Sequence, residues 1–245
     1  MEMIICIDDT DNLDSPGTGH LAEILRKNIE ELTGGTTTRI TRHQLFVSPE
    51  IPYTSHNSAM CFIADVAPEF YDRVIAMTQN FLETNSAPGS DPGFCAAVRE
   101  RISEPERLMA FGRSALNTVL TKKEAYALAD DLKIHLSEHG GTGGGVIGAL
   151  AGTGLRLDGN NGRFKGWLEI TDEDRQSTAS ALMSKYDIDR VQTAEGRGVS
   201  GDEKIILFEK VKTVLLGGQS VLVVKPYTED SGMWTNLSRL EVKRY

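Results

Sequence analysis

Met3-Ile4-Ile5-Cys6-Ile7-Asp8-Asp9-Thr10-Asp11 opens the chain with a short, β-branched apolar run that ends in a burst of acids. A run of this length, closed by turn-forming polar residues, reads as a buried strand over residues 3 to 8 whose end marks where the chain leaves the core. Leu21, Ile24, Leu25, Ile29 and Leu32 then recur at helical spacing, and Gly34 stands where a left-handed helix stop belongs. The opening unit is strand, loop, helix.

Two further strands are expected at residues 37 to 47 and 58 to 66. Between them lies Ser48-Pro49-Glu50-Ile51-Pro52-Tyr53, whose two prolines deny ladder hydrogen bonds. Phe70, Val74, Met77 and Phe81 space a helix over 69 to 83, and a strand comes next near Phe94 to Val98. This order, β-α-β-β-α-β, is that of a ferredoxin-like split unit. From 104 to 154 the text is mostly helical, with Thr121 and Glu124 forming a capping box for a helix that runs to His139.

Composition shifts after Gly154, which sets a boundary near 155. The expected domains are 1 to 155 and 156 to 245, the second smaller and β-rich. In it, Asp158-Gly159-Asn160-Asn161-Gly162 reads as a hairpin turn, Thr171 to Lys185 as one helix, and residues 188 to 245 mainly as strands. The fold class is therefore α+β, of mixed α/β type: a ferredoxin-like start, then helices, then a β-rich C-terminal part.

The chain has 245 residues, 40% hydrophobic and 25% charged, which is ordinary for a folded globular protein and suggests neither disorder nor a fibrous repeat. No apolar run approaches bilayer length, and Met1-Glu2-Met3 lacks the basic flank of a secretory signal, so a cytoplasmic protein without membrane contact is expected. Cys6, Cys61 and Cys95 are odd in number and widely spaced, so they form neither a disulfide framework nor a zinc ribbon and read as reduced and structural. A formal charge of -9 weighs against gripping a long polyanion unaided. A homo-oligomer is compatible with these letters, which do not define an assembly.

Between residues 3 and 35, seven acids (Asp8, Asp9, Asp11, Asp14, Glu23, Glu30, Glu31) face two bases, Arg26 and Lys27, so this region attracts a cation first. Asp8, Asp9 and Asp11 suit magnesium, which keeps several waters and takes one or two carboxylates plus phosphate oxygens. They sit beyond the carboxyl end of a strand, where open α/β sheets place ligands. The plainer reading is that they are turn and cap residues. A rival functional reading is the haloacid-dehalogenase type of phosphatase with Asp9 as nucleophile. Against it, Leu13 stands where Thr or Val is expected, and no downstream GDxxxD partner is found. Thr18 reads as a helix N-cap, as a hydroxyl facing metal-bound phosphates, or as both.

Six glycines fall within residues 140 to 148, a costly density for a mere connection because each loses much backbone freedom on ordering. Bare N–H groups of Gly143, Gly144, Gly145 and Gly148 at a helix start would cradle phosphate, while a helix–helix connection is the alternative. The GxGxxG within the segment is weak evidence, since it comes after an expected helix and a second match lies at Gly196, Gly198 and Gly201. His135 and His139, one helical turn apart, read as partners of the helix dipole and are left outside the site.

Five motifs in order, over roughly residues 3 to 155, resemble the N-terminal kinase-like domain of the archaeal synthetase that joins agmatine to the wobble cytidine of isoleucine tRNA. They are Ile7 to Asp11, Thr18, Pro49-Glu50-Ile51-Pro52-Tyr53, Asp91-Pro92-Gly93, and Ile147-Gly148-Ala149-Leu150-Ala151. The resemblance implies an ATP and magnesium site, with Asp8, Asp9 and Asp11 as the acids, Thr10 among the nucleotide-contacting residues, Thr18 as the phosphorylatable threonine and Gly143 to Gly148 as the phosphate cradle. It further implies a phosphotransferase-type or ligase-related enzyme acting on an acceptor the sequence does not name. The family's glycine loop carries Lys or Arg and this one has none, which sets a nucleotide-binding regulatory module without turnover beside the enzyme; Arg197 is a candidate substitute cation. The family's OB-fold and zinc ribbon have no counterpart among these motifs, and with the acidic charge this implies that tRNA is not bound unaided.

Overall fold

The computed structural model describes residues 1–51, 57–208, 210–227 and 232–245. Pro52 and Tyr53 of the proline-bearing motif lie outside the described residues. The chain divides into two compact units, Met1–Asp158 and Gly159–Tyr245.

The first unit begins with β1 (Glu2–Asp8), α1 (Thr18–Thr33), the two-residue β2 (Thr36–Thr37), β3 (Thr41–Gln44), β4 (Ser58–Asp65), α2 (Tyr71–Asn85) and β5 (Gly93–Val98). In space the strands run β5-β1-β4-β3, every neighbouring pair antiparallel. This is the split-unit order expected from the sequence. The strand expected over 37 to 47 is interrupted: Thr37 faces Ala64 and Thr41 faces Cys61, so four steps on one strand match three on its partner. The extra residue is a bulge, which re-aims the side chains beyond it.

β1 reads as continuous apolar sequence because both of its faces are covered. Met3, Ile5 and Ile7 pack with Leu21, Leu25 and Ile29 of α1 and with Val74, Phe81 and Leu82 of α2. Ile4 and Cys6 face the other way. They pack with Leu108, Ala125, Ala129, Ala149, Leu150 and Leu155, residues of α3 (Pro105–Ser114), α4 (Lys122–Leu132) and α5 (Gly145–Asp158). Cys6 stands opposite Cys61 and Cys95 in the ladder. All three cysteines are buried and free.

Two expectations for residues 104 to 154 are corrected. The capping box at Thr121 and Glu124 is present, but the helix it opens stops at Leu132 rather than at His139. Lys133 takes the left-handed conformation at φ 56, a stop usually signalled by glycine, and the chain turns back as β6 (His135–Glu138) on the free edge of β5. His135 and His139 are thus not one helical turn apart. They lie along an edge strand, each within hydrogen-bond distance of Ser137 between them, at 3.0 and 2.8 Å. The glycine segment consequently joins a strand to a helix, not two helices.

The second unit holds β7 (Arg163–Phe164), β8 (Gln176–Thr178), α6 (Ala179–Lys185), β9 (Arg190–Thr193), β10 (Lys204–Ile206), β11 (Val214–Leu216), β12 (Gln219–Pro226) and β13 (Trp234–Asn236). Its strands run β7-β11-β12-β13-β10-β8, with β9 parallel to β12. Ala179 and Leu182 of α6 pack on Val191, Ile205, Leu222 and Val224. Residues 171 to 185 are not one helix: a 3-10 turn over Asp172–Arg175 and β8 precede α6, whose true cap is Thr178, accepting from Ala181 N at 3.3 Å. Nor do residues 158 to 162 form a hairpin. Asp158 ends α5, and the tight hairpin is the Gly217-Gly218 pair between β11 and β12, both with positive φ.

Candidate functional site

Because β1 has antiparallel neighbours on both sides, the rule placing ligands at the carboxyl edge of a parallel sheet does not apply to it. The same geometry removes the structural setting for the phosphatase reading of Asp9, which needs that edge. Another construction brings the acids to a ligand: α5 crosses the sheet with its first turn against the end of β1. Gly145 N donates to Asp91 O at 3.1 Å. A Cβ at Gly145 would lie 2.2 Å from that oxygen and 3.1 Å from Asp8 O, so this close approach requires glycine.

The acidic turn is held from within. Asp9 adopts φ 53, a left-handed conformation that Asp tolerates better than most residues, and its N–H donates to Asp8 Oδ1 at 2.9 Å. Thr10 donates from its backbone N at 3.3 Å and from its hydroxyl at 3.2 Å to Thr18 Oγ1, which itself donates to Asp11 Oδ1 at 2.7 Å. Thr18 is thus the first residue of α1, preceded by the N-cap Gly17, and not the N-cap. Its buried hydroxyl is aimed at Asp11.

A cavity of about 290 Å³ opens over this turn, lined by Asp8, Asp9, Asp11 and Thr18 on one side and by Thr142, Gly144, Gly145 and Gly148 on the other. The two segments singled out in the sequence therefore share one cavity. Thr10 does not line it; its N–H and hydroxyl reach Thr18 Oγ1 instead. Gly143 also stays out of the lining, one step back in the turn at φ 73, with its N–H donating to Gly140 O at 3.2 Å.

Sequence reasoning missed three contributors. Asp91, quoted only as part of a motif, lines the cavity and accepts from the Thr142 backbone N and from Thr142 Oγ1, tying the glycine turn to β5. Lys122, at the start of α4, donates to Thr142 O at 2.7 Å and to Glu138 at 2.6 Å and so supports the same turn. Arg42 of β3 lines the cavity. Nothing local marks it, since Thr41-Arg42-His43-Gln44 alternates buried and half-buried positions like any strand on one face of a sheet. Arg197, the substitute cation considered from sequence, lies in the second unit, stacked on Trp234 at 4.8 Å and 4.0 Å from Glu203.

Electrostatically the acidic end is unsatisfied. Burial, reinforced by the charge of Asp9, pushes Asp8 up to about 8. Burial together with Asp91 and Asp11 pushes Asp9 up to about 6. Carboxylates crowded in this way favour protonation unless a cation joins them. Among the described residues no three acid, thiol or imidazole groups are already gathered around one point as metal ligands. Carboxylate oxygens, with no thiol or imidazole beside them among the described residues, line the acidic end, a donor chemistry that suits a hard ion taking one or two carboxylates and completing its shell with water and phosphate oxygens, as magnesium does.

No protein-family model matches the chain, and no curated protein sequence is significantly similar to it. Solved structures share its fold. Over about 70% of the chain the fold is similar to part of a tRNA agmatidine synthetase. That enzyme is TiaS, the agmatidine synthetase of an isoleucine tRNA, whose apo form superposes with a TM-score of 0.54 at 23% identity over 69% of this chain and 37% of that one. The complex of TiaS with that tRNA and ATP gives 0.56 at 21% identity over 75% and 43%, and a tRNA fluorescent labeling enzyme gives 0.55 at 22% over 74% and 42%. The chain is TiaS-like in fold over most of its length, and it spans less than half the length of these proteins. Among the described residues no helix is long and apolar enough to cross a membrane.

Proposed function

We propose that the cavity of the first unit binds a nucleoside triphosphate, ATP, with magnesium, and that the protein is a phosphotransferase-type enzyme. One observation carries this reading: the acidic turn after β1 and the glycine-rich opening of α5 line the same cavity, with a Cβ at Gly148 only 1.7 Å from Asp8 Oδ2. Phosphate and its metal need those two surfaces together, a carboxylate for the ion and bare amides at a helix start for the anion. The likeness in fold to a TiaS structure solved with ATP supports it.

In this reading Asp8 and Asp9 hold magnesium, with Asp11 oriented beside them by Thr18. Held there, magnesium would supply charge neutralisation for a phosphoryl group in transfer. The amide of Gly144 faces the phosphates, Gly145 and Gly148 leave that wall of the cavity bare of side chains, and the apolar side of the cavity, with Leu45, Val119, Leu120 and Ile147, excludes water from them. The Thr18 hydroxyl lies at the cavity wall as a phosphate contact or acceptor. Nothing in the acidic composition of this chain supports gripping tRNA unaided, so an RNA acceptor would be presented by a partner.

Equilibrium titration with ATP, with and without magnesium, tests the reading. Binding is expected only with the metal, and Asp9→Asn is expected to weaken it about tenfold or more. Magnesium-independent binding, or wild-type affinity in Asp9→Asn, contradicts the site. Tight binding without product for any acceptor would favour the regulatory module over the enzyme, a reading to which the uncharged glycine turn lends support.

A further inference from the structure

Five carboxylates line the cavity, those of Asp8, Asp9, Asp11, Glu50 and Asp91, against one cation among the described residues, Arg42. Arg42 Nε donates to Ser58 Oγ at 2.9 Å, which fixes the plane of the guanidinium. Among the described residues its two terminal nitrogens have no hydrogen-bond partner, and no carboxylate lies within ion-pair distance. Burial lowers its pKa, which Asp11 only partly opposes. A half-buried guanidinium that lines a cavity and gives only its Nε to the described residues of the protein has its two terminal nitrogens to offer an entering anion.

Other cations are committed elsewhere. The glycine turn from 140 to 148 has no Lys or Arg. Lys122 is bound to Thr142 O and Glu138. A guanidinium whose Nε is fixed presents its remaining nitrogens as a planar fork, a shape that matches two oxygens of one phosphate.

We infer that Arg42 grips the terminal phosphate of the bound nucleotide and makes the site prefer a triphosphate to a diphosphate. This rests on the nucleotide reading above. The bulge before β3 supplies the aim: without the extra residue between Thr37 and Thr41, every side chain of β3 would turn to the opposite face of the sheet. Arg42 is therefore a specificity residue carried by strand register rather than by a loop motif.

Affinities for ATP and ADP, each with magnesium, measured on wild type, Arg42→Met and Arg42→Lys, test it. Wild type is expected to prefer ATP by about tenfold, the scale of one charge-assisted hydrogen bond. In Arg42→Met the ATP affinity should fall about tenfold more than the ADP affinity, erasing the preference, and Arg42→Lys should keep part of it. Ser58→Ala, which frees the guanidinium without deleting it, should erode the preference by a smaller factor. An unchanged ATP-to-ADP ratio in Arg42→Met, or equal losses for both nucleotides, overturns the inference while leaving the nucleotide site standing. Failure of the wild type to bind either nucleotide overturns the site itself and the inference with it.

Discussion

Gly148 and Asp8 share one volume: a Cβ added to Gly148 would lie 1.7 Å from Oδ2 and 2.7 Å from Cγ of the Asp8 carboxyl. Gly148 lies inside α5, and the nearest obstacles to a larger residue are this carboxyl and the Leu45 side chain at 3.1 Å. Gly148→Ala should push the Asp8 carboxyl out of its place, reducing nucleotide affinity about tenfold or more and stability by about 1–3 kcal/mol, the usual range for overpacking. Denaturant unfolding of Gly148→Ala, Asp8→Ala and the double variant checks the cause. The double variant should recover most of the stability lost by Gly148→Ala, and additive losses would mean that the two residues do not collide.

The raised carboxyls give the protein a pH signature. In the unfolded chain Asp8 and Asp9 release their protons at about pH 4. In the folded state they hold them up to about 8 and about 6. Between those limits the native state binds more protons than the unfolded one, so stability falls as pH rises and is fully present only below the unfolded value. A divalent cation offsets that loss. Thermal melts with and without magnesium should show a larger stabilisation at pH 8 than at pH 5, and equal shifts at both would contradict an ion held by these two acids.

Thr18 joins Thr10 to Asp11 through its hydroxyl. Thr18→Val removes those hydrogen bonds while preserving shape, and about 1–3 kcal/mol of stability should go with them. Thr18→Ser keeps the oxygen and should restore most of it. Nucleotide affinity should follow the same order, because Asp11 loses its orientation only in the valine variant. Equal behaviour of the two variants would show that the hydroxyl plays no part.

Thr121→Ala provides a contrast away from the cavity. Its hydroxyl accepts from Glu124 N at 3.3 Å, and Glu124 closes the box on Thr121 N at 2.8 Å. Loss of the box should cost about 1 kcal/mol in chemical denaturation and leave ATP affinity unchanged. A fall in affinity would mean that the start of α4, through the adjacent Lys122, governs the glycine turn more strongly than its hydrogen bond to Thr142 O implies.

Legibility in the sequence tracked the range of the forces involved. β1, α1 and the capping box were readable because local pattern determines them: an apolar run covered on both faces, a helical stripe ended by Gly34, and a Thr121–Glu124 pair. The end of α4 was not, because Lys133 stops the helix in a left-handed conformation that carries no glycine signal, and a four-residue strand on a sheet edge is too short to show a period. The acids and the glycine turn stood out by composition, yet their meeting is tertiary. It depends on α5 crossing the end of β1 at Gly145 and Gly148. Arg42 was invisible for the same reason: its place in the cavity is set by strand pairing, and its neighbours in sequence say nothing of Asp11 or the glycine turn. Asp91 carried a faint signal in Asp91-Pro92-Gly93, a turn before β5 whose carboxylate proves to fasten Thr142.

Crystals grown with magnesium and a non-hydrolysable ATP analogue test the central claim most directly. The account predicts phosphate density between the carboxylates of Asp8 and Asp9 and the cavity wall formed by Gly144, Gly145 and Gly148, with a metal ion touching one or two of those acids. Phosphates bound elsewhere on the chain, or an empty cavity at saturating analogue in crystals that leave its mouth open, would contradict it.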